Sequence, residues 1–171
     1  MKQKKELIQE SGKYLERLLW TIFSRFIRLR DSLLTTGKRN QCKCITCGRV
    51  YKSFKYDLQY EIWIEAWHCR DRKVLILKFN KKNVNGQCSL CNHNWWEVEA
   101  YKKALDCKYG TGTALELDTI AKEYTQCVGK SNWFKLYKQD LIDMIMGFDN
   151  DIQKMTDLWK QSKPIEFLDF F

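Results

Sequence analysis

Two pairs of cysteines constrain the fold of this chain more than any other feature of its sequence. Cys44 and Cys47 form one C-x2-C pair, Cys88 and Cys91 form a second, and 40 residues separate the pairs. Each pair can chelate a metal ion through two sulfurs from a single turn, and two pairs complete a tetrahedral four-thiolate site. The sequence therefore predicts a structural zinc ion (Zn²⁺) at these four cysteines. The alternative is a set of free buried cysteines, since Cys behaves as a small hydrophobe.

The other four cysteines are less suitable as ligands. Cys42 competes with Cys44, but its spacing to Cys47 is longer than a zinc knuckle usually has. Three more lie in apolar or helical contexts and are predicted not to bind metal: Cys69, Cys107 and Cys127. Neither pair has the βαβ surroundings of a redox site, and knuckle spacing favours zinc over iron. We therefore expect a zinc protein of a reducing cytoplasm.

The length and composition of the chain exclude several classes of protein. A chain of 171 residues suffices for one domain, with or without a helical extension. Hydrophobic residues make up 44% of it, so it can bury a core and is not expected to be disordered. No apolar run approaches the ~20 residues that span a bilayer, and the basic N-terminus does not resemble a signal peptide. No membrane partner is therefore expected.

Positive charge is concentrated in the first two thirds of the chain. Residues 1–50 carry twelve basic and four acidic side chains, residues 51–110 eleven and seven, and residues 111–171 seven and ten. The first two segments would attract a polyanion such as DNA. The candidates for contact with the phosphate backbone lie in and just after the first helix: Arg25, Arg28, Arg30, Lys38 and Arg39. The alternative for each is an ordinary solvated position on a helix.

Hydrophobic periodicity predicts an α+β fold. Residues 5–34 have the pattern of one amphipathic helix that ends near Gly37. Strands are predicted at 60–67 and 74–77, followed by a polar loop at 80–86. Three helices are predicted afterwards, at 92–108, 114–128 and 131–161. The last of these, which is capped by Ser131, is expected to pack on the first helix or to form a dimer contact.

Histidine and asparagine residues lie around the predicted hairpin. His68 follows its first strand, Asn83 lies in the later loop, and Asn92 and His93 begin the next helix. This is the order of polar residues in ββα-metal nucleases. Their chemistry needs a neutral imidazole to take a proton from water, and a divalent metal to stabilise the leaving oxygen. A neutral His at cytoplasmic pH suits the first task, and the alternative is that His68 is an ordinary turn histidine.

Several short motifs occur in one order between residues 23 and 110. They are FSRFIRLRD at 23–31, CITCG at 44–48, AWHCRDR at 66–72 and FNKKNVNGQCSLCN at 79–92. Their order and spacing resemble the NinG/Rap family of phage recombination nucleases, a zinc-containing branch of the HNH endonucleases. The resemblance implies a structure-selective DNA endonuclease that cuts branched intermediates such as Holliday junctions or D-loops. It also implies a bacteriophage protein that works in the cytoplasm of a bacterial host.

The helix pattern and the resemblance together divide the chain into three parts. Residues 1–40 would be a basic amphipathic helix, residues 41–110 a small zinc-bound ββα-metal nuclease core, and residues 111–171 a helical extension with an acidic, aromatic tail. That tail would pack back on the protein or dock a partner.

The resemblance and the residue order together assign roles in the site. His68 is predicted to be the general base, and Asn83 to orient the loop that carries it. Asn92 is predicted to bind the catalytic Mg²⁺ or Mn²⁺, with His93 as a less favoured substitute. A single amide oxygen, completed by phosphate oxygens and waters, suits Mg²⁺ in particular.

Arginines and one tryptophan complete the predicted site. Arg72 is expected to hold a phosphate or to stabilise developing charge, and Arg70 is the alternative. Trp67 stands where the family has glycine, and an indole cannot bind a metal.

Two other functions compete with the nuclease. One is a zinc-stabilised DNA-binding module without nuclease activity, and the other is a phage protein that binds a host protein. The expected partners are branched DNA, a second copy of the chain, and a phage or host recombination protein.

Overall fold

The computed structural model describes residues 4–53, 62–93, 98–127 and 136–162 of the chain. The helices in these ranges are α1 (Lys4–Gln9), α2 (Gly12–Thr36), α3 (Leu75–Lys78), α4 (Ser89–His93), α5 (Val98–Tyr109), α6 (Thr113–Cys127) and α7 (Lys138–Lys160). The strands are β1 (Gln41–Lys43), β2 (Val50–Lys52), β3 (Ile64–His68) and β4 (Val84–Cys88). The protein is therefore a mainly helical α+β protein with two small antiparallel sheets, in agreement with the predicted class. None of the helices in the described ranges has the length and apolarity needed to cross a bilayer.

The N-terminal helix is interrupted once. It was expected to be continuous over residues 5–34, but Glu10 and Ser11 separate α1 from α2. Ser11 is extended, and its Oγ accepts a hydrogen bond from the Tyr14 N–H at 3.2 Å, so it caps α2. At the other end Gly37 has a φ of +67° and donates its N–H to the Leu33 carbonyl. The predicted C-cap is therefore confirmed.

The main core lies between α2 and α7. Phe23 and Phe26 of α2 pack against Phe148 of α7, with ring centroids 4.8 and 5.1 Å apart. This confirms the expectation that the last helix packs on the first. The described part of α7 begins at Lys138. Ser131 and the aromatic tail lie outside the described residues.

The central hairpin pairs β3 with β4. The two strands are antiparallel, with Ile64 opposite Cys88 and His68 opposite Val84. The second hairpin, β1 with β2, carries the first cysteine pair in its connecting turn. Strands β1, β3 and β4 all contact α2, so this helix supports both sheets.

The second strand of the central hairpin was predicted in the wrong place. Residues 74–77 fall largely within α3, a single helical turn, whereas the predicted polar loop at 80–86 contains the start of β4. The polar side chains of Asn85 and Gln87 gave β4 the appearance of a loop. All five residues of β4 are buried, and a strand that is covered on both faces lacks the polar–apolar alternation of a half-exposed strand.

Gly86 provides a test of the packing of β4. A Cβ atom at this position would lie 3.0 Å from the Cys42 Sγ and 3.1 Å from the Ile64 Cγ2. We therefore expect Gly86→Ala to lower the free energy of unfolding by about 1–3 kcal/mol, the usual cost of overpacking, in guanidinium denaturation.

Gly147 is the matched control. It lies within α7, and a Cβ there would meet nothing within 4 Å. Gly147→Ala should raise the unfolding free energy by about 0.5–1 kcal/mol, because alanine favours the helix. A Gly86→Ala variant as stable as the parent would contradict the close approach at β4.

Candidate functional site

Four cysteines form a compact cluster at one end of the central hairpin. Cys44 and Cys47 lie in the turn between β1 and β2, Cys88 ends β4, and Cys91 lies on α4. Their Sγ atoms all lie within 4.8 Å of one another, and those of Cys47 and Cys88 are 3.9 Å apart. A zinc–thiolate tetrahedron with bonds of about 2.3 Å has edges of about 3.8 Å. The four predicted ligands can therefore hold a zinc ion.

The backbone around the first pair has the form of a knuckle. Gly48 has a φ of +71°, and its N–H donates to the Cys44 carbonyl at 3.0 Å, which closes the turn. The Cys88 N–H points at the Cys44 Sγ at 3.3 Å. Burial raises the pKa of the Cys44 thiol to about 11, and a bound cation would oppose this shift because metals bind the thiolate.

The remaining cysteines are outside the cluster, as predicted. Cys42 is buried on β1, next to Gly86, and it does not belong to the group of four. Cys69, Cys107 and Cys127 do not belong to it either.

A cavity of about 730 Å³ borders this cluster at Cys91. It brings together three residues that the sequence placed in one catalytic site, His68, Arg72 and Asn92. Arg28 of α2 also lines it. Residues that are far apart in the chain thus line one cavity of ligand size.

His68 is the last residue of β3, and its side chain packs against α2. Its ring stacks on Trp20, with centroids 5.0 Å apart and an interplanar angle of 16°. Its Nε2 lies 2.9 Å from the Lys78 carbonyl oxygen, which can only accept, so a neutral ring carries its hydrogen on Nε2. Nδ1 then remains to accept a proton. The pKa of His68 is lowered, mainly because burial disfavours the charged ring.

Asn83 ties together the chain segments around His68. Its side chain is fully buried. The Oδ1 accepts the Arg70 N–H at 2.8 Å, and Nδ2 donates to the carbonyls of Arg70 and Leu77 at 3.1 and 3.0 Å. The Asn83 carbonyl also accepts the Cys69 N–H at 2.8 Å. An orienting residue for the His68 loop would make contacts of this kind.

Asn92 lies on α4 and faces the cavity. Its Nδ2 donates to the Glu65 carboxylate, and its buried Oδ1 has no hydrogen-bond partner among the described residues. His93, the substitute ligand, is exposed and is not among the residues that line the cavity. Sequence reasoning missed Glu65, which precedes His68 by three positions and lines the same cavity.

The predicted phosphate contacts include one error. Arg30 is completely buried, donates from Nε to Asp31 Oδ1 at 2.8 Å and also binds the Lys81 and Val84 carbonyls. It lies on the face of α2 that packs against β4 and cannot reach a phosphate. The four other candidates remain predictions. Arg28 lines the cavity, and Arg25 and Lys38 are exposed. The guanidinium group of Arg39 lies over the Trp159 ring.

The two arginines near His68 differ in their partners. Arg72 is exposed at the edge of the cavity, whereas Arg70 forms an ion pair with Asp118 of α6. Arg72 is thus the better placed of the two alternatives. Trp67 also lines the cavity and is 44% exposed, so its indole borders the candidate site rather than the core.

A comparison with known protein families gives a match over most of the chain. The family model described as "Bacteriophage Lambda NinG protein" matches residues 1–144, which include the cysteine cluster and the whole described cavity. Searches of curated proteins and of solved structures give no match.

Proposed function

We propose that this chain, which belongs to the bacteriophage lambda NinG family, is a metal-dependent DNA endonuclease of the HNH type. One observation carries the proposal: His68, Arg72 and Asn92 line a single cavity beside the four-cysteine cluster. His68 ends β3, Arg72 lies in the turn after it, and Asn92 lies on α4, which directly follows β4, the strand that pairs with β3. Two paired strands followed by a helix would be consistent with a ββα-metal site, in which a histidine and a helix residue act on one phosphodiester.

His68 is the general base in this proposal. Its Nε2–H donates a hydrogen bond to the Lys78 carbonyl. Nδ1 therefore takes the proton from the water that attacks phosphorus. Stacking on Trp20 holds the plane of the ring. Asn83 is a positioning residue that fixes the backbone after His68 through Arg70.

Asn92 contributes an oxygen ligand for the catalytic Mg²⁺ or Mn²⁺. Its Oδ1 is buried without a described hydrogen-bond partner, and amide and carboxylate oxygens are the ligands that hard cations prefer. When bound, such a cation would stabilise the charge on the leaving oxygen and orient the scissile phosphate. Arg72 would hold a phosphate oxygen of the same strand.

The substrate in this proposal is branched DNA from recombination, such as a Holliday junction or a D-loop. Arg25, Arg28, Lys38 and Arg39 would contact its backbone, which sets affinity and position but not sequence. Cutting both sides of a junction needs two active sites, so we include a homodimer in the proposal. The protein would act in the host cytoplasm with phage or host recombination proteins.

The first test is a cleavage assay. Purified, zinc-loaded protein is incubated with a labelled four-way junction, a D-loop, a duplex and a single strand, each with Mg²⁺, Mn²⁺ or EDTA. We expect cleavage that needs the added metal and favours the branched substrates. DNA binding without cleavage of any substrate would overturn the nuclease and favour a DNA-binding module. A host protein partner would instead be favoured by weak, salt-labile DNA binding.

The lowered pKa of His68 predicts the pH dependence of cleavage. The base must be neutral, and burial keeps the ring neutral to a lower pH than a free imidazole. The value of kcat/KM should therefore stay constant at neutral pH and fall only below about pH 6.5, the ordinary value for histidine. A pH–rate profile and an NMR titration of the His68 ring measure this. A fall in rate centred above that pH would contradict the assignment.

A further inference from the structure

Three oxygen-bearing side chains share one wall of the cavity. Glu65 on β3 is directly opposite Gln87 on β4 in the hairpin register, so the two side chains lie on the same face of the sheet. Asn92 on α4 donates its Nδ2 to the Glu65 carboxylate. All three line the cavity that also contains His68.

Two of these side chains hold carbonyl oxygens that are buried without a described partner. Gln87 is only 3% exposed and donates its Nε2 to Thr46 Oγ1 at 2.8 Å. Its Oε1 has no hydrogen-bond partner within the described ranges, and the same is true of Asn92 Oδ1. A buried acceptor left unpaired costs about 1–3 kcal/mol. Two such acceptors and one carboxylate line the same cavity, and a ligand that accepts electron pairs from all three would satisfy them.

The chemistry of these three side chains indicates which kind of metal ion they would bind. One carboxylate and two amide carbonyls contain no sulfur or imidazole, so they suit a hard cation such as Mg²⁺ or Mn²⁺ rather than zinc. A carboxylate with neutral oxygens leaves room for the waters that Mg²⁺ retains. The adjacent cysteine cluster has the opposite preference, because thiolates favour zinc. The two sites would thus select different metals.

We infer that Glu65, Gln87 and Asn92 together form the divalent-cation site of this protein. The inference rests on the proposed nuclease function and deepens it: Glu65 supplies the negative charge and Gln87 a second amide oxygen. The Asn92 amide would keep its Nδ2 on the Glu65 carboxylate and turn its Oδ1 to the cation. Neither Glu65 nor Gln87 follows from the order of histidine and asparagine residues in the sequence.

The experiment measures Mn²⁺ binding directly, in the absence of DNA. The full-length, zinc-loaded protein is titrated with Mn²⁺, and free Mn²⁺ is followed by its EPR signal. We expect one Mn²⁺ per chain in addition to the zinc, and competition by Mg²⁺. Glu65→Gln keeps the shape of the side chain but removes its charge, so it should weaken Mn²⁺ binding about tenfold or more.

Matched variants make the result specific. Glu116→Gln removes an exposed carboxylate on α6 that does not line the cavity, and it should leave Mn²⁺ binding unchanged. Gln87→Met keeps the length of the side chain and removes its Oε1, so it should also weaken binding without any change in charge. Zinc content and circular dichroism confirm that each variant is folded.

The outcomes separate this inference from the nuclease proposal. No Mn²⁺ binding to the wild type would overturn the site, and so would wild-type affinity in both Glu65→Gln and Gln87→Met. Mn²⁺ binding that these variants lose, without cleavage of any DNA, would support the site and overturn the nuclease. Metal-dependent cleavage that Glu65→Gln leaves intact would support the nuclease and overturn this site.

Discussion

Cys47→Ser is expected to remove most of the bound zinc and to lower the free energy of unfolding by more than about 4 kcal/mol. Loss of a structural metal is one of the few single changes with an effect of this size. Cys47 is the exposed member of the cluster, so its replacement removes a ligand without leaving a cavity in the core. Metal analysis after dialysis and guanidinium denaturation measure the two effects.

Cys107→Ser is the control for this change. Cys107 is also exposed, on α5, and lies outside the cluster, so its replacement should alter neither the zinc content nor the stability. One zinc per chain in Cys47→Ser would show that the cluster is not the zinc site. Iron in place of zinc in the parent protein would change the identity of the metal but not its ligands.

His68→Ala is expected to lower kcat/KM for DNA cleavage by about 10²–10⁴-fold, the usual contribution of a general base. The affinity for DNA and the zinc content should be unchanged, because the basic surface and the cysteine cluster remain. Single-turnover cleavage of the four-way junction at neutral pH measures the first effect. A binding titration at fixed salt measures the second.

His93→Ala is the matched control, since it removes the other histidine of the chain. His93 is exposed and does not line the cavity, so cleavage should be close to that of the parent. Equal losses in both variants would favour His93 as the metal ligand in place of Asn92. Full activity of His68→Ala with an intact fold would remove His68 as the base. Because His68 also stacks on Trp20, thermal unfolding must accompany the assay.

The sequence predicted the four-cysteine cluster well because its signal is local. A pair such as Cys44 and Cys47 lies within one turn, so its spacing determines the geometry without knowledge of the fold. Two such pairs need only be brought together, and the sheets on α2 do so. The order of His68 and Asn83 along the chain likewise suggested one site, and the structure brings their segments together, but their roles remain predictions.

The errors occurred where tertiary contacts override local pattern. Asn85 and Gln87 gave β4 the polarity of a loop, yet both are buried. Arg30 was taken for a surface charge because arginine is rarely buried without a partner. Its partner, Asp31, is the next residue, and the Asp31 carboxylate also accepts from Lys108 Nζ at 2.7 Å and from the Gly86 N–H at 2.7 Å. Such a network depends on three separate elements and has no pattern in the sequence.

The place of Glu65 in the cavity could not have been predicted without the strand register. Its place beside Gln87 follows from the pairing of β3 with β4, and its contact with Asn92 follows from the direction in which α4 leaves β4. A strand pattern alone shows which face a residue occupies, but not which residue of the neighbouring strand it meets.

Helix α2 limits how far the β3–β4 hairpin can be regarded as an independent unit. It supplies Trp20 to the stacking of His68 and Arg28 to the cavity wall, while its other side packs on α7. A hairpin transplanted without this helix would lose one wall of the candidate site. Transfer of that site to another protein would therefore require the long N-terminal helix to be carried with the motifs. Substitutions in α7, which contributes no residue to the cavity lining, would act on the cavity through α2.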